Sequence, residues 1–300
     1  MRRNILIRSV VLLLLIPAGP RSQPRRPRPD AAPARITVSQ SPAGIVNGSP
    51  ALFRVDASPP LRALTGQFQG RRIFFRFDAS VGAWYGFGGV GIDAPAGPSS
   101  LTLECTLLTG TRFFSSHPIT IGRAPDRSVQ LTVPEIFTRP DAGALARIRK
   151  EKAVKAAAFR RASPERLWTG RFASPVRDIV TEPFGVQRLF NGVRQSVHQG
   201  LDYRAALGTE VEAMNDGRVL LAREMFYEGG FLVLDHGQGL LTLYLHLSRI
   251  DVREGDRVAK RQIVARSGDT GRATGPHLHV GVRWQGIYLD PETLLRMELP

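Results

Sequence analysis

A mainly β protein is predicted, with two β regions joined by a basic helix. Short alternating or β-branched runs recur from about residue 36 to 135 and again from 172 to 295, with Gly, Pro, Asn and Ser between them. The stretch between the two regions is rich in Ala, Lys and Arg and lacks that period.

The 300 residues are 42% hydrophobic and 22% charged, enough apolar material for packed cores and against wholesale disorder. Lys and Arg number 41 against 26 Asp and Glu, a formal net charge of +15. Such an excess first suggests nucleic acid. Its distribution argues otherwise. Residues 1–35 hold eight Arg against Asp30 alone, and residues 139–168 hold nine basic against three acidic residues. The remaining chain is nearly neutral, and no nucleic-acid partner is expected.

Taken in order, residues 1–22 read as an export signal. Arg2, Arg3 and Arg8 precede the apolar run Val10 to Ile16, and Pro17, Ala18 and Gly19 end it. The run is far short of the ~20 apolar residues that span a bilayer, so membrane attachment is expected only if the signal stays uncleaved. No clean A-x-A cleavage site is visible. The expected location is outside the cytoplasm, in the periplasm or at the cell envelope.

Residues 23–35, rich in Pro and Arg, read as an extended tether. Residues 36–135 read as a small β-sandwich, immunoglobulin-like in architecture, from the runs 36–38, 52–55, 73–77, 101–107 and 129–133. Within it Leu101, Leu103, Cys105 and Leu107 alternate as one buried face, which makes the only cysteine a core residue. His117 is read as a loop residue before Pro118.

Residues 139–168 read as a basic helical linker. Asp141 can cap it and Ser163-Pro164 end it. A solvated helix is expected, and contact with anionic cell-envelope polymers is the sharper alternative.

Residues 169–297 read as a second β domain of hairpins with strands near 210–213, 218–222, 230–235, 241–246, 258–265 and 278–283. Five of the six histidines lie here, between 198 and 279. His198 and Asp202 form H-x-x-x-D, and His277 and His279 form H-x-H. On a strand, residues i and i+2 point to one face about 6.6 Å apart, so both imidazoles of H-x-H face one site. A catalytic zinc wants three ligands from His, Asp or Glu, with an open fourth position. His198, Asp202 and one of the H-x-H pair can supply them, leaving the other histidine for acid–base or oxyanion work.

Residues 171–294 resemble the lysostaphin/LytM-type zinc metallopeptidases, which are secreted peptidoglycan endopeptidases. The resemblance rests on Phe184-Gly-Val-Gln-Arg188, His198-Gln-Gly-Leu-Asp202-Tyr203, Gly208 to Ala213, Gly217-Arg-Val219, Leu234-Asp-His-Gly237, Tyr244-Leu-His-Leu247, Val252 to Val258, and Gly268-Asp-Thr-Gly271 … Thr274-Gly-Pro-His-Leu-His279. It implies a LytM-like domain of duplicated hybrid, lipoyl-like hairpins. It also implies His198, Asp202 and His279 as ligands of one zinc ion per chain, His246 and His277 as catalytic histidines with roles unassigned, and peptidoglycan as substrate. Many members carry Glu two residues after the last ligand. Here Gly281 stands there, which points to a changed strand neighbour or groove wall.

His236, in an Asp-His-Gly turn, is not expected to be a ligand. A noncatalytic member that activates a cell-wall amidase is the rival reading; such members usually lack one or more of the five residues. The hairpins also look like those of biotinyl or lipoyl carriers, but Met214 is followed by Asn215 and Asp216 and not by a lysine.

Overall fold

The computed structural model describes residues 34–300; the expected signal and most of the expected tether lie outside them. Arg35, the last residue of that tether, already begins the first strand, Arg35–Ser41. Among the described residues, no helix is long and apolar enough to cross a membrane.

Eight strands of the N-terminal half form one hydrogen-bonded path. Its order is Arg35–Ser41, Pro50–Ser58, Ala83–Gly89, Arg71–Asp78, Leu61–Phe68, Gly97–Leu107, Arg112–Gly122 and Ile45–Val46. Strand Arg71–Asp78 changes partner midway. Its first half pairs with Thr65–Phe68 and its second half with Ala83–Gly86. Leu101, Leu103 and Cys105 are fully buried as the alternation predicts, and Phe53 meets Phe68 edge to face at 5.1 Å.

Four of these strands, Ile45–Val46, Leu61–Phe68, Ala83–Gly89 and Arg112–Gly122, coincide with none of the expected runs. Ala83–Gly89 is rich in glycine because its neighbours need the space: a Cβ at Gly86 would come within 2.5 Å of Ile73 Cγ2. His117 is not in a loop. It lies within strand Arg112–Gly122, opposite Leu101, with Nε2 2.9 Å from Ser115 Oγ. Pro118 fits there because the strand's other side is paired only at Ile121 and Gly122, so a missing N–H removes little from the ladder.

Strand Ser128–Leu131, expected in the first β region, instead pairs in parallel with Gln187–Phe190, which also pairs with Val193–Val197. Residues Arg35–Pro300 are one compact unit, and a single core runs through both halves. Phe87 packs against Trp168 and Trp284 at 6.1 and 5.9 Å, and Asp290 N–H donates to Gly48 O at 2.8 Å.

Helix α1 (Ala142–Phe159) is capped by Asp141, whose carboxylate accepts from Ala144 N–H at 2.7 Å. It is not wholly solvated. Ala158 is buried among Leu220, Phe231, Val233 and Leu243 of the C-terminal half, with Val154 and Phe159 packed beside it. Glu151 accepts from Phe226 N–H at 2.8 Å, and Lys155 pairs with Glu228. Arg149, Lys150 and Lys152 are exposed, while Val154, Ala158 and Phe159 seat the helix.

The C-terminal half is a ten-stranded sheet. Its central path runs Val180–Glu182, Leu201–Tyr203, Leu278–Trp284, Leu240–Ile250, Gly229–Asp235, Gly217–Met225 and Arg257–Val258. The run expected at 258–265 is two strands, Arg257–Val258 and Ile263–Ser267. Arg261 adopts a φ of +68° between them, and Ala259 N–H donates to the Gln262 side chain.

Candidate functional site

Strand pairing builds the site. Asp202 lies directly opposite His279 on adjacent antiparallel strands, and Leu245 lies opposite His279 on the other side. Gly200 permits the close approach: a Cβ there would lie 2.3 Å from Val280 O and 2.6 Å from His279 Nε2.

His198, Asp202 and His279 converge, with one ligand atom of each within 4.8 Å of the others, and all three are buried. His198 Nε2 lies 3.0 Å from Asp202 Oδ1 and 3.0 Å from His279 Nδ1; His279 Nδ1 lies 2.7 Å from the same Oδ1. His198 Nδ1–H donates to Pro183 O at 2.7 Å, so its Nε2 turns a lone pair toward the carboxylate. One proton on His279 Nδ1 can serve Asp202 or His198 but not both well, whereas a cation among the three atoms would serve all of them. Two imidazole nitrogens and a carboxylate oxygen suit a metal ion. Their spacing is near the ~3.3 Å edge of a tetrahedron with bonds of about 2.0–2.1 Å.

Burial alone would raise the Asp202 carboxyl, but His279 and His198 outweigh it and hold the group well below the carboxylate range. Burial pushes His279 down to about 4. The other Asp202 oxygen faces Arg188, which also forms a bidentate pair with Glu182 at 2.9 and 2.7 Å. Sequence reasoning assigned no role to Arg188 or Glu182. The one available signal was Arg188 closing the Phe184 to Arg188 motif.

The other two expected histidines stand beside this cluster. His246 and His277 have ring centroids 4.7 Å apart, and His246 lies 6.2 Å from His279. His246 Nδ1–H donates to Thr270 O at 2.8 Å, and His277 Nδ1–H donates to Gly275 O at 2.8 Å. Each ring thus keeps Nε2 as its free lone pair, and His277 Nε2 lies 4.0 Å from Asp202 Oδ1. His246 is held at φ +63°, a left-handed conformation that costs a residue with a Cβ about 1–3 kcal/mol. Its backbone N–H donates to Glu228 O at 2.8 Å, one of the bonds that hold it there. Burial first, then His277 and His279, push His246 down to about 3, which keeps it neutral. His236 lies elsewhere, wholly buried, between Asp216 O and Thr242 Oγ1 at 2.8 Å each.

A groove of about 430 Å³ opens onto His198, His246 and His279. Its walls include Lys155 and Phe159 of α1, Tyr288, and Gly281. A recess of about 240 Å³ holds Asp202 and His277 on the other side. The site can therefore place a chain across imidazoles and a cation position.

Residues 196–291 match the model of peptidase family M23. This part of the chain belongs to peptidase family M23. Among its relatives, the chain is 44% identical over 86 residues to the peptidoglycan DD-endopeptidase ShyA of Vibrio cholerae, covering 29% of this chain and 20% of that protein. It is 38% identical over 122 residues to ShyC of the same organism, also a peptidoglycan DD-endopeptidase, covering 40% and 28%. The matched segments thus span about a quarter of the length of those relatives. A solved structure described as an M23 peptidase from Pseudomonas aeruginosa superposes with a TM-score of 0.64 at 27% identity, covering 83% of this chain and 94% of that one. That likeness reaches beyond the matched M23 segment.

Proposed function

We propose that this chain is an exported zinc-dependent endopeptidase that hydrolyses peptide bonds in the cross-links or stem peptides of bacterial peptidoglycan. In this reading His198, Asp202 and His279 hold one zinc ion, and His246 and His277 are the catalytic histidines. The observation that carries it is the meeting of His198, Asp202 and His279 at one point, with His246 and His277 beside them, between a groove and a recess within an M23 segment. The DD-endopeptidase names of the Vibrio cholerae relatives support peptidoglycan as substrate.

Zinc bound there would supply a Lewis acid that polarises a substrate carbonyl and acidifies water. The chain's own groups do the rest. Carbonyls of Thr270 and Gly275 hold Nδ1–H of His246 and His277, so each Nε2 can accept a proton from water and return it to the leaving amine or donate to a developing oxyanion. Arg188 and Glu182 brace Asp202 so that Oδ1 stays turned toward the two ligand histidines. Export is supported by the basic and apolar start of the chain, and loose attraction to anionic envelope polymers by the charge of residues 23–35 and α1. We read residues 36–135 as a sandwich-like docking domain and the helix as a linker that also walls the groove.

The test is digestion of purified peptidoglycan with and without chelator, with zinc measured on the same protein and the fragments identified by mass spectrometry. Chelator-sensitive release of new amines is expected. Stoichiometric zinc with no amine released from any wall substrate would sink the reading and favour a noncatalytic wall-binding role.

A further inference from the structure

Arg272 stands where the groove and the recess meet. Its side chain lines both, beside His246 and His279 in one and Asp202 and His277 in the other. Its guanidinium carbon lies 4.4 Å from the Phe190 ring centroid and 4.9 Å from that of Tyr227.

The two other cations lining these depressions are neutralised within the fold: Lys155 by Glu228, and Arg188 by Glu182 and Asp202. Arg272 differs. Among the described residues its guanidinium has no carboxylate at ion-pair distance, and burial lowers its pKa, opposed only by Tyr227 and the already paired Glu228. A guanidinium keeps its proton in a protein, and Arg272 is half-buried, so it is partly shielded from water without an anion, and an incoming anion would recover part of that lost solvation. The aromatic rings engage its cationic plane but accept none of its five N–H donors in a strong bond. A planar fork of donors matches a carboxylate bidentately.

We propose that Arg272 receives a free carboxylate of the substrate peptide, so that the site selects peptides bearing an acid group close to the bond presented to His246 and His277. The inference rests on the peptidase reading for the kind of ligand. It assigns this residue to substrate selection and not to the bond-breaking step.

The test uses the full zinc-loaded chain in an H246A background, so that turnover does not disturb binding. Two stem-type synthetic peptides are titrated, identical except that one ends in a free carboxylate and the other in an amide. The acid is expected to bind roughly 10- to 100-fold more tightly, the range of a hydrogen-bonded charge pair. Arg272→Gln should collapse the difference by weakening only the acid, and Arg272→Lys should keep part of it. Equal binding of acid and amide overturns the proposal. So does a difference that survives Arg272→Gln, which would place the carboxylate on the metal, or an equal loss for both peptides, which would make Arg272 only a brace for Phe190 and Tyr227. Peptidoglycan digestion by the chain with His246 intact is read separately: a binding difference without digestion sinks the peptidase reading alone, and digestion without a difference sinks this one alone.

Discussion

Asp202 and His279 face each other across adjacent antiparallel strands, with Oδ1 and Nδ1 2.7 Å apart. Residues 77 positions apart in the chain are thereby locked into one donor set by the ladder itself. A one-residue slip would turn every side chain of one strand to the opposite face, so the register of this pair controls whether the site exists.

Loss of a donor and loss of a neighbouring histidine should separate. His198→Ala or Asp202→Ala is expected to lose bound metal together with activity. His246→Ala should keep metal and lose activity by roughly 10²- to 10⁴-fold, the usual weight of general acid–base help. Metal analysis beside turnover checks both, and a fully active His246→Ala protein would remove that residue from the mechanism.

The brace behind Asp202 predicts a weaker effect. Glu182→Gln or Arg188→Met should lower metal affinity about 10- to 100-fold by freeing the carboxylate to rotate. Competition against a graded chelator measures it, and unchanged affinity would show that strand pairing alone positions Asp202.

His236 should make stability sensitive to acid. Its ring accepts from the Thr242 hydroxyl while Nδ1–H donates to Asp216 O, and burial pushes its pKa from 6.5 down to about 4. The fold holds the neutral form. The contribution is therefore complete above pH 6.5 and is lost as pH falls from 6.5 through about 4, at ~1.36 kcal/mol per unit, or about 3 kcal/mol in all. His246 and His279 are also depressed, so the readout is the difference between the natural chain and His236→Gln in denaturant titrations at pH 7 and pH 4. Equal losses in the two proteins would contradict the assignment.

Helix α1 should matter to the site it walls. Phe159→Ala is expected to raise KM for wall substrate severalfold with metal content unchanged, because Phe159 lines the groove without touching the donor set. Ala158→Leu should destabilise the chain by about 1–3 kcal/mol, since Ala158 is only 1% exposed against the C-terminal sheet. A helix free in solution would show neither effect.

The sequence by itself determined the mainly β composition, the capped helix and the pairs His198 with Asp202 and His277 with His279, while a role for His246 came only with the family resemblance. These are local properties: a period of two, turn residues, a capping Asp141, and the spacings H-x-x-x-D and H-x-H are set by backbone geometry over a few residues. Only the tertiary structure decided that Ser128–Leu131 pairs with the C-terminal half, that His117 lies within a strand, and that α1 docks to form a groove wall. It also placed Arg188 and Glu182 behind Asp202 and left Arg272 between two rings without an acidic partner among the described residues. Such partners lie far apart in the chain, and which of them meet is set by strand register and core packing. Of the charge excess that first suggested nucleic acid, the share in residues 139–168 falls on and beside α1, where Lys155 is neutralised by Glu228, whereas Arg188 and Arg272 belong to the nearly neutral C-terminal half and serve the site.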